Sequence, residues 1–384
     1  MLKTLYLKNF KSIQEAPIDF SDFNIVVGLN GAGKTNLIQS IGFIKALVMG
    51  EDVSIAARKI ATSPHELFNR NSASKEIEIS VTFSDLEENE YCLNFMIGFS
   101  QAKNTPTKLQ ILSEKLEKID STGIRKTIYI RTGIKIENAD NKAIPLNVEE
   151  EHLAISSYVN IDAKNAKNSF SNIFMPNERT IDSRESVVLE NTSGLAGLLT
   201  KLKNHKPDEY KKFQTIVSKL IPSFASVADP ESISEQQISS DPEENKYYLV
   251  LIEEKNLNGK LSMKSISTGD IRTSYIIACT LAVKEGSTVV IEELENGIHP
   301  KRAKDLIQYV DKISKVRNLQ IIFTTHSSAI INTVRAGDII FVEKAGETGT
   351  RVTSFRNIEQ QNRIKEILEE GGELTDYLSY KTKL

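Results

Sequence analysis

Residues 24–48 limit what this chain can fold into more than any other stretch. Asn24-Ile25-Val26-Val27 is a short apolar run that predicts a strand. It feeds into Gly28-Leu29-Asn30-Gly31-Ala32-Gly33-Lys34-Thr35, the spacing G-x-x-x-x-G-K-T of a phosphate-binding loop. Leu37, Ile41, Ile44 and Val48 then recur every three or four residues, the apolar stripe of a helix. The four fixed loop positions arise by chance in about one chain of this size in a hundred. The flanking strand and helix make an accident rarer still.

The residue types suit phosphate chemistry. Glycines at 28, 31 and 33 let the backbone curl so that N–H groups along Gly28–Asn36, including those of Asn30, Ala32 and Asn36, face phosphate oxygens. The helix N-terminus adds positive potential beneath them. Lys34 can reach the β- and γ-phosphates of ATP, and the Thr35 hydroxyl can ligate Mg²⁺.

Bulk properties exclude more than they select. The chain has 384 residues, enough for two or more lobes, and its 40% apolar and 26% charged content is ordinary for a globular protein. A net charge of −3 gives no global signal for nucleic acid. Cys92 and Cys279 sit far apart in apolar runs, as buried reduced thiols do. No signal-peptide core or run of membrane-spanning length is present, so a cytoplasmic protein without membrane contact is expected.

Along the chain, residues 2–7 predict a strand, with a turn at Ala16-Pro17 before the loop strand. Residues 51–74 read as helix and loop. Strict alternation at Ile77–Phe83 and Tyr91–Phe99 predicts two antiparallel strands joined through Asp85–Asn89. Further strands are expected at Leu109–Leu112, Ile124–Arg131 and Ile134–Ile136. The polar stretch 138–172 predicts exposed loop, and 184–221 predicts helices, with Val188 on an apolar face and Pro222 as a stop. Residues 223–245 read as a connector with a poor strand, and 247–253 as one strand. A helix should follow Gly269. Thr288–Ile291 and Leu319–Phe323 are continuous apolar runs, the mark of parallel strands buried on both faces, and Lys301–Ser314 forms the helix between them. A last strand at Ile339–Val342 and a helix at Asn357–Glu370 close the chain.

Two strand ends carry polar clusters. Val289-Val290-Ile291 runs into Glu292-Glu293, and Ile321-Ile322-Phe323 runs into Thr324-Thr325-His326-Ser327. Ligands of open α/β sheets bind beyond the carboxyl ends of strands. Alone, an acidic pair there is an exposed loop and a single histidine is structural. Beside a phosphate loop, Glu292 is placed to hold Mg²⁺, Glu293 to orient or deprotonate a water, and His326 to touch a γ-phosphate.

Lys34 and Glu292 lie most of the chain apart, whereas an AAA+ motor or a nucleotide kinase places its acidic strand far sooner. A long insertion between the motifs resembles the ABC-type ATPases of the SMC/RecF/OLD branch. Asn9-Phe10-Lys11-Ser12 is similar to the opening N-F-K-S of that branch, and Gly33-Lys34-Thr35-Asn36-Leu37 to its G-K-T-N-L. Ile266-Ser267-Thr268-Gly269-Asp270 resembles the signature L-S-G-G-Q, Glu292-Glu293 with Gly297-Ile298-His299-Pro300 its Walker B and following loop, and Thr325-His326-Ser327 its switch histidine. The likeness covers about 1–50 and 260–345. Glu292 replaces the commoner Asp, Leu294 a frequent Pro, and Asp270 suits a phosphate site only if it points away. Asn160 and Pro176-Asn177-Glu178-Arg179 are the candidates for a Q-loop.

The resemblance implies an α/β fold: an ABC-type P-loop NTPase head with a β-rich lobe, a helical insertion and a parallel-sheet lobe. Residues 1–183 and 246–384 would form one composite head around an insertion at 184–245. It implies a Mg²⁺-dependent ATPase and a homodimer or higher oligomer, with Ser267 and Gly269 facing the nucleotide of a second copy. The short stretch after His326 lacks a D-x-D pair, so no Toprim nuclease domain is expected, and the five histidines are scattered. Small stand-alone ATPases of this branch resemble components of bacterial anti-phage or abortive-infection systems, where a separately encoded effector supplies the toxic activity. A RecF-like DNA-binding repair ATPase is the alternative, drawing on basic stretches at Lys201–Lys212 and Lys301–Lys304.

Overall fold

The computed structural model describes residues 1–100, 108–185, 187–189, 194–227, 231–233, 247–255, 257–346, 349–356 and 375. The N-terminal hairpin pairs β1 (Leu2–Phe10) with β2 (Ile13–Asp19). Its turn falls at Lys11-Ser12, not at Ala16-Pro17, which continue β2. Pro17 is tolerated because β2 meets its other neighbour only at Ile13, so the missing N–H faces no partner strand. The loop strand β3 (Phe23–Val27) and helix α1 (Lys34–Val48) follow, and α1 buries Leu37, Ile41, Ile44 and Val48 as its periodicity requires. After α2 (Val53–Arg58), capped by Asp52, the alternating segments form an antiparallel meander. It comprises β4 (Ile77–Ser84), β5 (Glu90–Phe99), β6 (Leu109–Ile119), β7 (Arg125–Thr132) and β8 (Lys135–Glu137).

The expected loop at 138–172 holds a helix, α3 (Ile161–Ser171). Its core side is Ala163, Ala166, Ser169 and Phe170, and small residues hide an amphipathic pattern. Asn160 caps this helix, accepting from the N–H groups of Asp162 and Ala163. That is a local helix-start role. Next come β9 (Ile173–Phe174), α4 (Glu178–Ile181) and β10 (Val187–Leu189). Val188 therefore lies in a strand, held by pairing with a distant segment, instead of on a helix.

Helices α5 (Leu195–His205) and α6 (Pro207–Leu220) precede a run of short strands. These are β11 (Phe224–Val227), β12 (Glu231–Ile233), β13 (Tyr247–Leu249), β14 (Leu251–Glu254) and β15 (Lys260–Ser262). The single strand expected at 247–253 is split at Val250, because its halves pair in different three-stranded sheets, β10-β13-β12 and β11-β14-β15. The C-terminal part contains α7 (Thr268–Ala282), β16 (Thr288–Ile291), α8 (Pro300–Val316), β17 (Gln320–Thr325), α9 (Ser328–Ile331), β18 (Ile339–Lys344) and β19 (Thr350–Ser354). The helix expected at Asn357–Glu370 lies outside the described residues.

One 13-stranded sheet joins the two ends of the sequence, in the order β8-β7-β6-β5-β4-β1-β2-β19-β18-β3-β17-β16-β9. The segment β18-β3-β17-β16-β9 is parallel throughout. Successive side chains of its strands face opposite sides, as strand geometry demands. Val26, Val290 and Ile322 pack with α1, whereas Ile25, Val27, Ile291 and Phe323 pack with α5, α6, α7 and α8. Both faces are covered, which is why Ile25–Val27, Val289–Ile291, Ile321–Phe323 and Ile339–Val342 are unbroken apolar runs. Each buried Val, Ile or Phe contributes about 1.5–3 kcal/mol relative to exposure.

Helix α7 is buried along nearly its whole length. Its C-terminal carbonyls are met by two cations. Arg317 donates to the carbonyls of Thr280, Leu281 and Val283, and Lys206 to those of Ala282 and Val283. This satisfies groups that would otherwise be orphaned and places positive charge at the negative end of the helix. Among the described residues, no helix is long and apolar enough to cross a membrane.

Candidate active site

The site forms where β3, β17 and β16 end side by side. Their register pairs Ile25 with Phe323, Val27 with Thr325, and Phe323 with Ile291. Gly28, His326 and Glu292 are the residues that follow these strands. The topology thus brings together three motifs that the sequence holds far apart.

Gly33 has φ 113°, in the left-handed region, and a Cβ there would lie 2.4 Å from Thr350 Oγ1. Only glycine satisfies both demands. Thr350 donates to the Ala32 carbonyl at 2.8 Å and shares a 2.7 Å hydrogen bond with Ser12, whose Oγ accepts from Asn36 Nδ2 at 2.6 Å. The loop is therefore braced from beneath by the N-F-K-S turn and by β19. The alternation Thr350-Arg351-Val352-Thr353 could have revealed a strand, but no local pattern shows that it slots between β2 and β18. Ala32 is buried, while Asn30, Gly31 and Thr35 are exposed.

Lys34 is buried and folds back on its own loop, donating to the carbonyls of Gly28 at 2.7 Å and Leu29 at 3.1 Å. Burial lowers its pKa from the ordinary lysine value, and the charges of Glu293 and Glu295 oppose that shift. The acids after β16 therefore lie within electrostatic reach of the loop lysine.

Glu293 adopts φ 46°, a left-handed conformation that costs a non-glycine residue about 1 kcal/mol or more. Its surroundings hold it there. Its N–H donates to Thr324 Oγ1 at 2.8 Å, and the carbonyls of Glu292 and Glu293 accept from Arg272 Nη2 at 2.8 and 2.9 Å. Arg272 is fully buried in α7 and also meets Asp182 Oδ1 at 3.3 Å. The sequence reading passed over Arg272. The signal was there, a lone cation in the run Ile271–Ala282 that is otherwise apolar or small.

The Glu292 side chain lines a groove of about 320 Å³ together with Gln39 and Gly42 of α1 and with Met175, Pro176 and Asn177. Met175–Asn177 follow β9, which runs parallel to β16, so the Q-loop candidate at 176–179 arrives beside Glu292. Asn177 Oδ1 caps α4 through Thr180, and Arg179 is exposed. Among the described residues no group of three or more His, Cys, Asp or Glu could hold a metal ion. Mg²⁺ takes few protein ligands and relies on phosphate and water for the rest, so a site for it needs no such cluster.

The His326 side chain is half exposed, and its Nδ1 lies 3.5 Å from Glu295 Oε1. That oxygen also accepts from Thr325 Oγ1 at 2.7 Å and the His326 N–H at 3.0 Å. Glu295 was not anticipated. It stands third in the acidic run Glu292-Glu293-Leu294-Glu295, where it reads as part of a loop.

In the signature-like stretch, Ser267 caps α7, its Oγ accepting from the Asp270 N–H at 3.1 Å. Its own hydroxyl proton remains for an acceptor. Thr268 accepts from Arg184 Nη2 at 2.5 Å. Asp270 is paired with Arg302 of α8, which turns its charge towards a cation. A Cβ on Gly269 would come within 2.3 Å of the Gly297 carbonyl, in the loop that follows the acidic strand. Backbone cannot yield as a flexible side chain can, so Gly269→Ala should destabilise the protein by about 1–3 kcal/mol. A melting temperature equal to that of the wild type would contradict this packing.

Comparison with known proteins speaks to the family and the fold. Residues 23–332 match the family described as "AAA domain, putative AbiEii toxin, Type IV TA system". An ATP/GTP phosphatase of Helicobacter pylori is 22% identical over 348 residues, covering 86% of each chain. The DNA replication and repair protein RecF of Leptospira biflexa is 30% identical over 131 residues, which is 34% of this chain and 32% of that protein. A solved SMC head, bound to the C-terminal winged-helix domain of ScpA, superposes with a TM-score of 0.55 at 15% identity, covering 94% of this chain and 99% of that one. At that identity the likeness speaks for the fold alone. With most of its length matched, the chain belongs to this AAA-domain family, and it is an ABC-type ATPase of the SMC/RecF branch.

Proposed function

We propose that this protein is a Mg²⁺-dependent ATPase that works as a dimeric, nucleotide-controlled switch on a separately encoded effector, in bacterial anti-phage or abortive-infection defence. The observation that carries the ATPase part is the convergence of the phosphate loop, the Glu292-Glu293 turn and Thr325-His326 at three adjacent parallel strand ends. In this reading the loop Gly28–Asn36 cradles the phosphates, Lys34 neutralises them, and Thr35 and Glu292 hold Mg²⁺. Bound Mg²⁺ would offset charge building on the transferred phosphoryl group. Glu293 takes the proton of the attacking water, and His326 contacts the γ-phosphate. Ser267 and the Gly269 N–H, at the start of α7, receive the γ-phosphate held by a second copy. The family description, which names an AbiEii toxin and a Type IV TA system, supports the defence context. A cytoplasmic location accords with the reading.

The RecF likeness favours a second reading, DNA binding. Against it, much of the charge in the two basic stretches is already engaged. Lys206 caps α7, Lys211 and Lys212 pair with Asp208 and Glu209, and Arg302 pairs with Asp270. Strong, salt-dependent DNA binding by the purified protein would favour this second reading.

The dimeric switch is tested by mixing two inactive variants, Lys34→Ala and Ser267→Arg. A mixed dimer contains one site with an intact loop facing an intact signature. With random exchange half the dimers are mixed, so about a quarter of wild-type ATPase activity should return. Losing the Ser267 cap costs about 0.5–2 kcal/mol, so folding of that variant is checked by circular dichroism. No recovery despite demonstrated mixed dimers would mean that each site works within one chain or that both must fire together.

A further inference from the structure

Glu295, the last acid of the Glu292–Glu295 run, commits its carboxylate to the histidine segment. Its side chain is only 10% exposed. Oε1 is fully used, accepting from Thr325 Oγ1 and the His326 N–H, and lies 3.5 Å from the imidazole Nδ1. Oε2 is buried and meets no hydrogen-bond donor among the described residues. A buried carboxylate oxygen without a donor is costly, so its retention beside a reactive segment calls for an explanation. The imidazole is half exposed, and its Nδ1 already stands at the edge of hydrogen-bond distance from the carboxylate.

We infer that Glu295 is a positioning residue for His326: it fixes the backbone of the 325–326 turn through Oε1 and takes the imidazole Nδ1–H when nucleotide binds, aiming Nε2 at the γ-phosphate. Orientation of a functional imidazole through its far nitrogen is a recurring device, and its loss costs about tenfold or more. The position of Glu295 supports the assignment independently. It reaches His326 from the loop after β16, so the acid turn and the histidine turn are tied to each other by a side chain as well as by the sheet. Thr325 completes the tie, its hydroxyl donating to Glu295 and accepting from the Ser327 N–H at 3.0 Å.

The inference rests on the reading of His326 as a γ-phosphate contact, and a double-mutant cycle separates the two. Glu295→Gln keeps the shape and an oxygen for Thr325 and the His326 N–H, so the fold should hold. That oxygen is already taken by two donors, and the amide nitrogen that replaces Oε2 cannot accept Nδ1–H. Steady-state ATPase assays with Mg·ATP should give kcat lowered about tenfold, with KM within about twofold. In a His326→Ala background the same substitution should change kcat by less than about twofold, because its partner is gone. An equal loss in both backgrounds, or no loss in the wild-type background, overturns the role of Glu295. If His326→Ala itself leaves kcat unchanged, the phosphate contact falls and this inference falls with it. In folded Glu295→Gln, the side-chain ¹⁵N signals of His326, assigned by their absence in His326→Ala, should differ from wild type when ATP is bound. Identical signals would show that the carboxylate does not hold the ring.

Discussion

Lys34→Ala should abolish measurable ATP binding at micromolar concentrations while leaving the fold intact. The ammonium now rests on the Gly28 and Leu29 carbonyls, a self-contact within a loop whose residues 29–31 are exposed, so those carbonyls can be hydrated when it is removed. The loss to nucleotide is larger. Two charge-assisted hydrogen bonds to phosphate, at about 1.5–3 kcal/mol each, correspond to an affinity loss of about 10² or more. Removing the cation also leaves Glu293 and Glu295, the two acids whose charge acts on it, without their local counter-charge. Both then repel the incoming phosphates. Titration calorimetry with a non-hydrolysable ATP analogue checks the affinity, and thermal melting checks the fold. Micromolar affinity in the variant would remove Lys34 from the phosphate site.

The parts of the fold legible in the sequence were those written in local periodicity. The stripe of α1, the alternation of β4 and β5 and the continuous apolar runs of β16 and β17 each follow from what a helix, a half-buried strand or a doubly covered strand must bury. What failed depended on partners far away. Thr350 pairs with Ile13 across most of the chain, and nothing near either residue announces it. Pro17 looked like a turn because proline removes a donor, yet on its open side β2 needs none there. Asn160 looked like a polar loop residue and proved to be a helix cap. At the site, the motif residues were readable because phosphate chemistry fixes their types and spacing. Arg272, Glu295 and Thr350 were not, because they act by holding other residues in place. Such roles are set by tertiary geometry: Arg272 reaches two main-chain carbonyls, and Thr350 one.

Those supports shape what Glu293→Gln should do. Glutamine keeps the size of the side chain and its capacity to hydrogen-bond, but it is not a base. The left-handed conformation at this position is held by main-chain bonds, from Arg272 to two carbonyls and from the N–H to Thr324, and none involves the carboxylate. The turn should therefore survive, and with it the groove beside Glu292. ATP should bind as in the wild type, with turnover reduced by about 10² or more, the usual range for loss of a general base. In the proposed dimer hydrolysis removes the γ-phosphate from between two copies, so the variant with Mg·ATP should accumulate as a closed dimer, visible by light scattering on a sizing column. The wild type should show that species only transiently. Glu292→Gln makes the contrast: it should weaken Mg²⁺-dependent binding, because Glu292 faces the groove shared with α1. If Glu292→Gln instead leaves binding untouched and slows turnover, while Glu293→Gln loses Mg²⁺ dependence, the two acids have exchanged roles. A Glu293→Gln protein that hydrolyses ATP at the wild-type rate would place the base elsewhere in the cluster.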